Sequence, residues 1–143
     1  MKKDNKDTLD ELYKGSCMGR DAVSFILDSV TNGLLKQELE QLKERYLLFL
    51  DKIDEIYPLY ADKKPHETNE MNKMMTWYSL QMKTMKDHSN SRLAELIMQG
   101  INMGIIEGTK ILNHKVLDEE VKNIAQEYVD IQEEVLPELK KYL

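Results

Sequence analysis

The strongest constraint on the fold is a stripe of apolar side chains that recur at alternating steps of three and four. Its members are Leu35, Leu39, Leu42, Tyr46, Phe49, Ile53, Ile56 and Tyr60. A helix turns once in about 3.6 residues, so this spacing places all of them on one helical face. A face of this length must be buried against other helices, and the sequence therefore predicts an all-α bundle.

Long helices are expected elsewhere because proline occurs only at positions 58, 65 and 137. We expect helices over 8–31, 34–60, 68–88, 91–113 and 118–142, within a single domain that spans 1–143. The Thr8-x-x-Glu11 spacing predicts a capping box at the start of the first helix. Pro58 should distort or end the second helix, and Pro137 should kink the last one.

A faint internal repeat relates the two halves of the chain. The motif Gly-x-x-Met-Gly occurs at 15–19 in the first helix and at 100–104 in the fourth. The apolar stripe of the second helix aligns with that of the fifth, with Tyr46 over Tyr128. The sequence therefore predicts two similar helical hairpins.

The third helix is long enough to connect these hairpins across the length of the bundle. About 20 residues span ~30 Å as a helix, which suits a crossover that leaves the second and fourth helices parallel. Two pseudo-symmetric hairpins joined by such a crossover helix resemble the ferritin-like superfamily. The resemblance implies a four-helix bundle, and it implies iron or manganese held by core glutamates and Glu-x-x-His motifs.

The chain departs from that metal pattern. It contains no Glu-x-x-His, and His66, His88 and His114 fall in expected loops or helix ends. The stripes of the second and fifth helices comprise only apolar residues and tyrosines, which leaves no inward-facing ligand. We therefore predict a divergent ferritin-like protein with no metal and no cofactor. Glu95 and Glu107 remain candidates for an unconventional metal site.

Five glycines lie on two helical faces: Gly15, Gly19, Gly100, Gly104 and Gly108. A glycine inside a helix costs about 1 kcal/mol relative to alanine, so a compensating reason is expected. The favoured interpretation is close contact between the first and fourth helices, with Met18 and Met103 at the same contact. The alternative is that the glycines leave room for a ligand.

Met18 and Met103 occupy equivalent positions of the repeat, and Cys17 adjoins one of them. Sulfur ligands suit Cu(I), and methionine also suits a haem iron. Methionines on helical faces more often fill irregular gaps in a core, which is the interpretation we adopt.

The third helix carries a methionine-rich face that is suited to adaptable contacts. Its residues are Met71, Met75, Trp77, Tyr78, Met82 and Met85. Either this face packs on the bundle, or it is a surface for self-association or a protein partner.

Charge and composition exclude several functional classes. The net charge is −6 and no basic run exceeds two residues, so nucleic-acid binding is not expected. No apolar stretch approaches the ~18 residues of a membrane span, and one cysteine favours a reducing, cytoplasmic setting. Phosphate-loop and nucleophile-elbow motifs are missing, so the sequence indicates no reaction.

These observations favour a non-catalytic helical protein that acts by self-association, as a homo-oligomer, or by binding a protein partner. One alternative is a metal-binding ferritin-like oxidase or storage protein. Another is a small-ligand carrier, which would have an unfilled cavity beside Gly104.

Overall fold

The computed structural model describes residues 3–63 and 69–143, and the side chains of 3–63 and 73–143. The described part contains no β-strand. Its helices are α1 (Asn5–Leu27), α2 (Gly33–Ile56), a short 3-10 helix (Tyr57–Leu59), α3 (Asn69–Thr84), α4 (Asn90–His114) and α5 (Glu119–Lys140). The predicted all-α class is confirmed.

Four of the helices form the bundle. α1 packs on α2 and α4 packs on α5, while α1 also packs on α4 and α2 on α5. The helices therefore follow each other around the bundle in the order α1, α2, α5, α4. α3 lies outside this ring, against α1.

Contacts at one end of the bundle fix the helix directions. The Asp4 amide donates a hydrogen bond to the Val116 carbonyl (2.8 Å), between α4 and α5. The Tyr60 hydroxyl, just after α2, donates to the Asp118 carboxylate (3.1 Å). α1 and α5 therefore begin at the end where α2 and α4 finish, so α2 and α4 run parallel, as predicted from the length of the connection.

The start of α1 differs from the prediction. α1 begins at Asn5, three residues before the predicted cap, and the Thr8 amide donates to the Asp4 carbonyl (3.0 Å) inside its first turn. The Asn5 side-chain oxygen accepts from the Asp118 amide (2.8 Å), which ties this turn to the start of α5. The Thr8 capping box is therefore wrong, because contacts with a distant part of the chain extend the helix.

Thr8 gives a first testable prediction. Its side chain is buried, and its hydroxyl has no hydrogen-bond partner among the residues that the structure describes. We expect Thr8→Val to raise the free energy of unfolding by about 1 kcal/mol, because the substitution removes a buried unsatisfied polar group at constant shape. Urea unfolding would measure it, with Thr109→Val on the exposed face of α4 as the control. A clear loss of stability in Thr8→Val alone would contradict this account.

The starts of α2 to α5 lie within one residue of their predicted positions, whereas α1 ends at Leu27, four residues before its predicted end. The Asn32 side chain caps α2 by accepting from the Leu35 amide (3.0 Å), and Ser89 caps α4. α2 gives way to the 3-10 helix that contains Pro58, as expected, whereas α5 continues past Pro137 to Lys140. α3 ends at Thr84, four residues short of the predicted end.

The predicted stripes of α2 and α5 form the main core. From Leu35 to Ile56, every stripe residue of α2 is buried. One polar residue belongs to the same core, because Gln132 of α5 is only 2% exposed. The prediction that these stripes contain only apolar residues and tyrosines is therefore wrong at one position, and that position adjoins a cavity.

Candidate functional site

A cavity of about 200 Å³ lies inside the molecule, with walls from all five helices. α1 and α4 contribute four of the singled-out glycines, Gly15, Gly19, Gly100 and Gly104. Apolar side chains such as Val23 and Ile97 form much of the remaining wall. The space lies beside Gly104, where a ligand carrier was expected to have an unfilled cavity.

The glycines lie against side chains of other helices, while the predicted close contact between α1 and α4 at these positions stays a prediction. A Cβ at Gly15 would overlap the hydroxyl of Tyr128, and one at Gly100 would overlap that of Tyr78. A Cβ at Gly19 would lie 2.6 Å from Cζ of Tyr46. Each missing side chain therefore admits the polar end of a tyrosine to the middle of the bundle.

The remaining two glycines make room for side chains of α5. A Cβ at Gly104 would overlap the amide of Gln132. One at Gly108, which does not line the cavity, would lie 2.6 Å from Cγ2 of Val129. Gly108 is thus the position where a glycine permits close packing of two helices.

Gln132 organises the polar part of the cavity wall. Its Oε1 accepts a hydrogen bond from the Tyr46 hydroxyl (3.3 Å), and its Nε2 donates to the Tyr128 carbonyl (3.2 Å). The orientation of the amide is therefore set by both contacts. Tyr78 is 3% exposed, and within the described residues its hydroxyl has no hydrogen-bond partner.

The three tyrosine hydroxyls are held in their neutral form. Burial raises the pKa of Tyr78 to about 12 and raises that of Tyr128 further. Burial, together with the nearby Tyr128 and Tyr78, raises the pKa of Tyr46 well above its ordinary value. Since the tyrosines influence one another, their hydroxyls form one cluster, and this cluster carries no charge at neutral pH.

Charged groups lie where the cavity approaches solvent. Lys14 and Glu107 contribute to its wall, as does Met103, which is 52% exposed. Partial loss of hydration raises the pKa of Glu107, opposed by the positive charge of Lys14. The cavity therefore has an uncharged interior and a charged rim.

The sulfur-containing residues of the repeat lie in and beside the cavity wall. Met18 and Met103 both line the cavity, and Cys17 is buried with Leu50 in a small cluster against which Met18 also packs. Met103 is about half exposed, and its role in a helix contact stays a prediction. In the described ranges, no three histidine, cysteine, aspartate or glutamate side chains are grouped so that they could hold a metal ion.

Asp10 and Glu95 are engaged in ordinary surface interactions. Asp10 accepts hydrogen bonds from the Tyr57 hydroxyl (2.6 Å) and Lys6 Nζ (2.8 Å). Glu95 forms an ion pair with Arg92 on its own helix. His88 hydrogen-bonds through its ring to a backbone carbonyl of α3, and His66 lies outside the described residues.

The methionine-rich face of α3 mostly faces the bundle. Tyr78 and Met82 are buried in the main core and Met85 packs against it, so these three are not available to a partner. Met75 is half-buried and Trp77 is 39% exposed. The side chain of Met71 lies outside the described residues.

The wall residues that sequence reasoning did not identify include Lys14, Met74 and Gln132. Gln132 follows Tyr128 by one helical turn, so its position on the buried face was detectable from spacing alone. Comparison with known proteins found no matching family model, no similar curated protein and no similar solved structure. None of the described helices is long and apolar enough to cross a membrane.

Proposed function

We propose that this protein binds a small molecule in the glycine-lined cavity. The observation that carries the proposal is a 200 Å³ space whose wall includes Tyr78, a residue that is 3% exposed and whose hydroxyl bonds to no other described residue. Ligand sites are concave and mostly apolar, with a few polar groups that orient the ligand. Apolar wall residues together with the tyrosine and glutamine cluster match that description.

Packing energetics support a binding role over a purely structural one. Protein interiors are close-packed, and voids larger than a water molecule are few. Tyr78 lines this space, so a ligand with an acceptor oxygen there would give its hydroxyl a hydrogen-bond partner. Self-association through α3 is less well supported, because Tyr78 and Met82 already pack on the bundle.

We further propose that the chain is a divergent ferritin-like protein. Its helix order, with a long return between parallel α2 and α4, is the order expected of that superfamily. In the centre of the bundle, where such proteins often hold metal, this chain has Tyr46, Tyr128 and Gln132 around a cavity. The ligand site would then replace the metal site.

Titration of isotopically labelled protein with neutral probes tests the binding role. With toluene, phenol and benzamide at millimolar concentration, we expect at least one to shift the backbone amide signals of Gly19, Gly100 and Gly104. Shifts confined to the protein surface, or none with any probe, would overturn the proposal.

A matched pair of variants tests whether the cavity is the site. Met103→Trp places a bulky ring at the rim, whereas Ile106→Trp lies nearby on α4 outside the cavity wall. Both positions are more than half exposed, so neither change should disturb folding. We expect Met103→Trp to weaken probe binding by about fivefold or more, or roughly 1 kcal/mol, and Ile106→Trp to leave it unchanged. Equal effects would contradict the assignment.

A further inference from the structure

We infer that the ligand is uncharged and carries an oxygen that accepts a hydrogen bond from Tyr78. This inference rests on the proposed ligand-binding role and adds the chemical class of the ligand.

Hydrogen bonds within the cavity wall determine which donor groups remain available to a ligand. The Tyr46 hydroxyl already donates its proton to Gln132 Oε1, and Gln132 Nε2 donates one of its two protons to the Tyr128 carbonyl. The Tyr78 hydroxyl forms no hydrogen bond with any of the described residues. A hydroxyl donates one proton, so its complement is an acceptor, such as a carbonyl or hydroxyl oxygen.

The charge distribution excludes an ionised group in the interior. The inner polar residues, Tyr46, Tyr78 and Gln132, are neutral, and burial favours the neutral tyrosines. A buried carboxylate or ammonium without a counter-charge is strongly unfavourable. Lys14 and Glu107 also line the cavity, but they carry opposite charges and Lys14 counteracts the rise in the pKa of Glu107, so together they add no net charge that would compensate an ion at the inner cluster.

The volume limits the size of the ligand. An engineered cavity of about 150 Å³ accommodates benzene, which has six non-hydrogen atoms. By proportion, a 200 Å³ cavity suits roughly eight non-hydrogen atoms. Phenol, benzamide, benzoate and benzylamine are probes of this size with different polarity and charge.

The test compares the dissociation constants of these probes, with toluene as the apolar member, at neutral pH. Benzamide and benzoate are nearly isosteric, but benzoate is an anion, and benzylamine is a cation. We expect benzamide and phenol to bind about tenfold or more tighter than either ion, and tighter than toluene. Binding of benzoate or benzylamine with an affinity equal to that of benzamide would overturn the inference.

Tyr78→Phe removes only the donor. It should weaken phenol and benzamide binding by about fivefold or more and leave toluene binding unchanged or improved. Tyr57→Phe is the control, because the Tyr57 hydroxyl bonds Asp10 at the end of the bundle, outside the cavity wall. An unchanged affinity for phenol and benzamide in Tyr78→Phe would overturn the inference.

The outcomes separate the two proposals. If toluene binds as tightly as phenol, the ligand-binding role stands and the inferred ligand class is wrong. If no probe binds the cavity, the ligand-binding role itself fails.

Discussion

Gly108→Leu is expected to lower the free energy of unfolding by about 3 kcal/mol, because it forces atoms into a close contact between α4 and α5. Even a Cβ at this position would lie 2.6 Å from Cγ2 of Val129 and 3.1 Å from Cδ2 of Tyr128. Valine is branched at Cβ, so it has few alternative side-chain conformations that could relieve the overlap. Tyr128 is held in place as well, since its ring packs against Phe49 with centroids 5.7 Å apart.

Gly33→Leu is the matched control. Gly33 lies in the first turn of α2, and nothing would come within 4 Å of a Cβ there. We expect this variant to unfold within about 0.5 kcal/mol of the parent, as is typical of exposed substitutions. Urea unfolding followed by circular dichroism measures both variants. Equal stability of the two would show that α4 and α5 can separate at Gly108, which contradicts the packing described.

Periodicity was sufficient to predict which residues form the core of α2. The alternating spacing from Leu35 to Ile56 depends only on helix geometry, and each of those positions is buried. The parallel course of α2 and α4 was predictable for a similar reason, since only a long connection can return the chain to the opposite end. Both features depend on properties that are local in the sequence.

Features set by contacts between distant segments were not predictable in the same way. α1 begins before Thr8 because Asp4 and Asn5 bond to the chain at Val116 and Asp118. The capping rule considers only neighbours in sequence, so it placed the start at the wrong residue. Likewise, the glycine spacing identified the faces of α1 and α4, but not the tyrosines that occupy the space beside them.

The missed residue Gln132 shows a different limitation. The predicted stripe of the fifth helix did not include this polar residue, one turn after Tyr128, because a core stripe is expected to be apolar. Burial of a glutamine is acceptable only when its amide is hydrogen-bonded, and the partners here lie on two helices. Gln132, the polar residue that departs from the apolar pattern of the stripe, therefore lies at the proposed site, where a polar group can hydrogen-bond to a ligand.

The tyrosine cluster makes stability sensitive to alkaline pH. An exposed tyrosine in the unfolded chain has a pKa near 10, whereas burial raises the pKa of Tyr78 to about 12. Above pH 10 the unfolded chain therefore releases a proton that the folded chain retains. Stability is fully present below pH 10 and falls as pH rises, by about 1.4 kcal/mol per unit for this residue. Burial of Tyr46 and Tyr128 raises their pKa values and steepens the fall.

We therefore expect the protein to unfold near pH 12. Tyr78 alone would lower the free energy of unfolding by about 2.7 kcal/mol there, and Tyr46 and Tyr128 lower it further. The free energy of unfolding of a domain is only roughly 5–15 kcal/mol in total. Urea unfolding at pH 8, 10 and 11, with phenolate absorbance followed in parallel, measures this. Tyr78→Phe removes one titrating group, so its stability should decline less steeply with pH by about one proton between pH 10 and 12. Lysines also lose protons in this range, but both proteins contain the same lysines, and the difference between their slopes reports the tyrosine. Parallel slopes would mean that Tyr78 ionises in the folded protein as easily as in the unfolded chain, which contradicts its burial in the cavity wall.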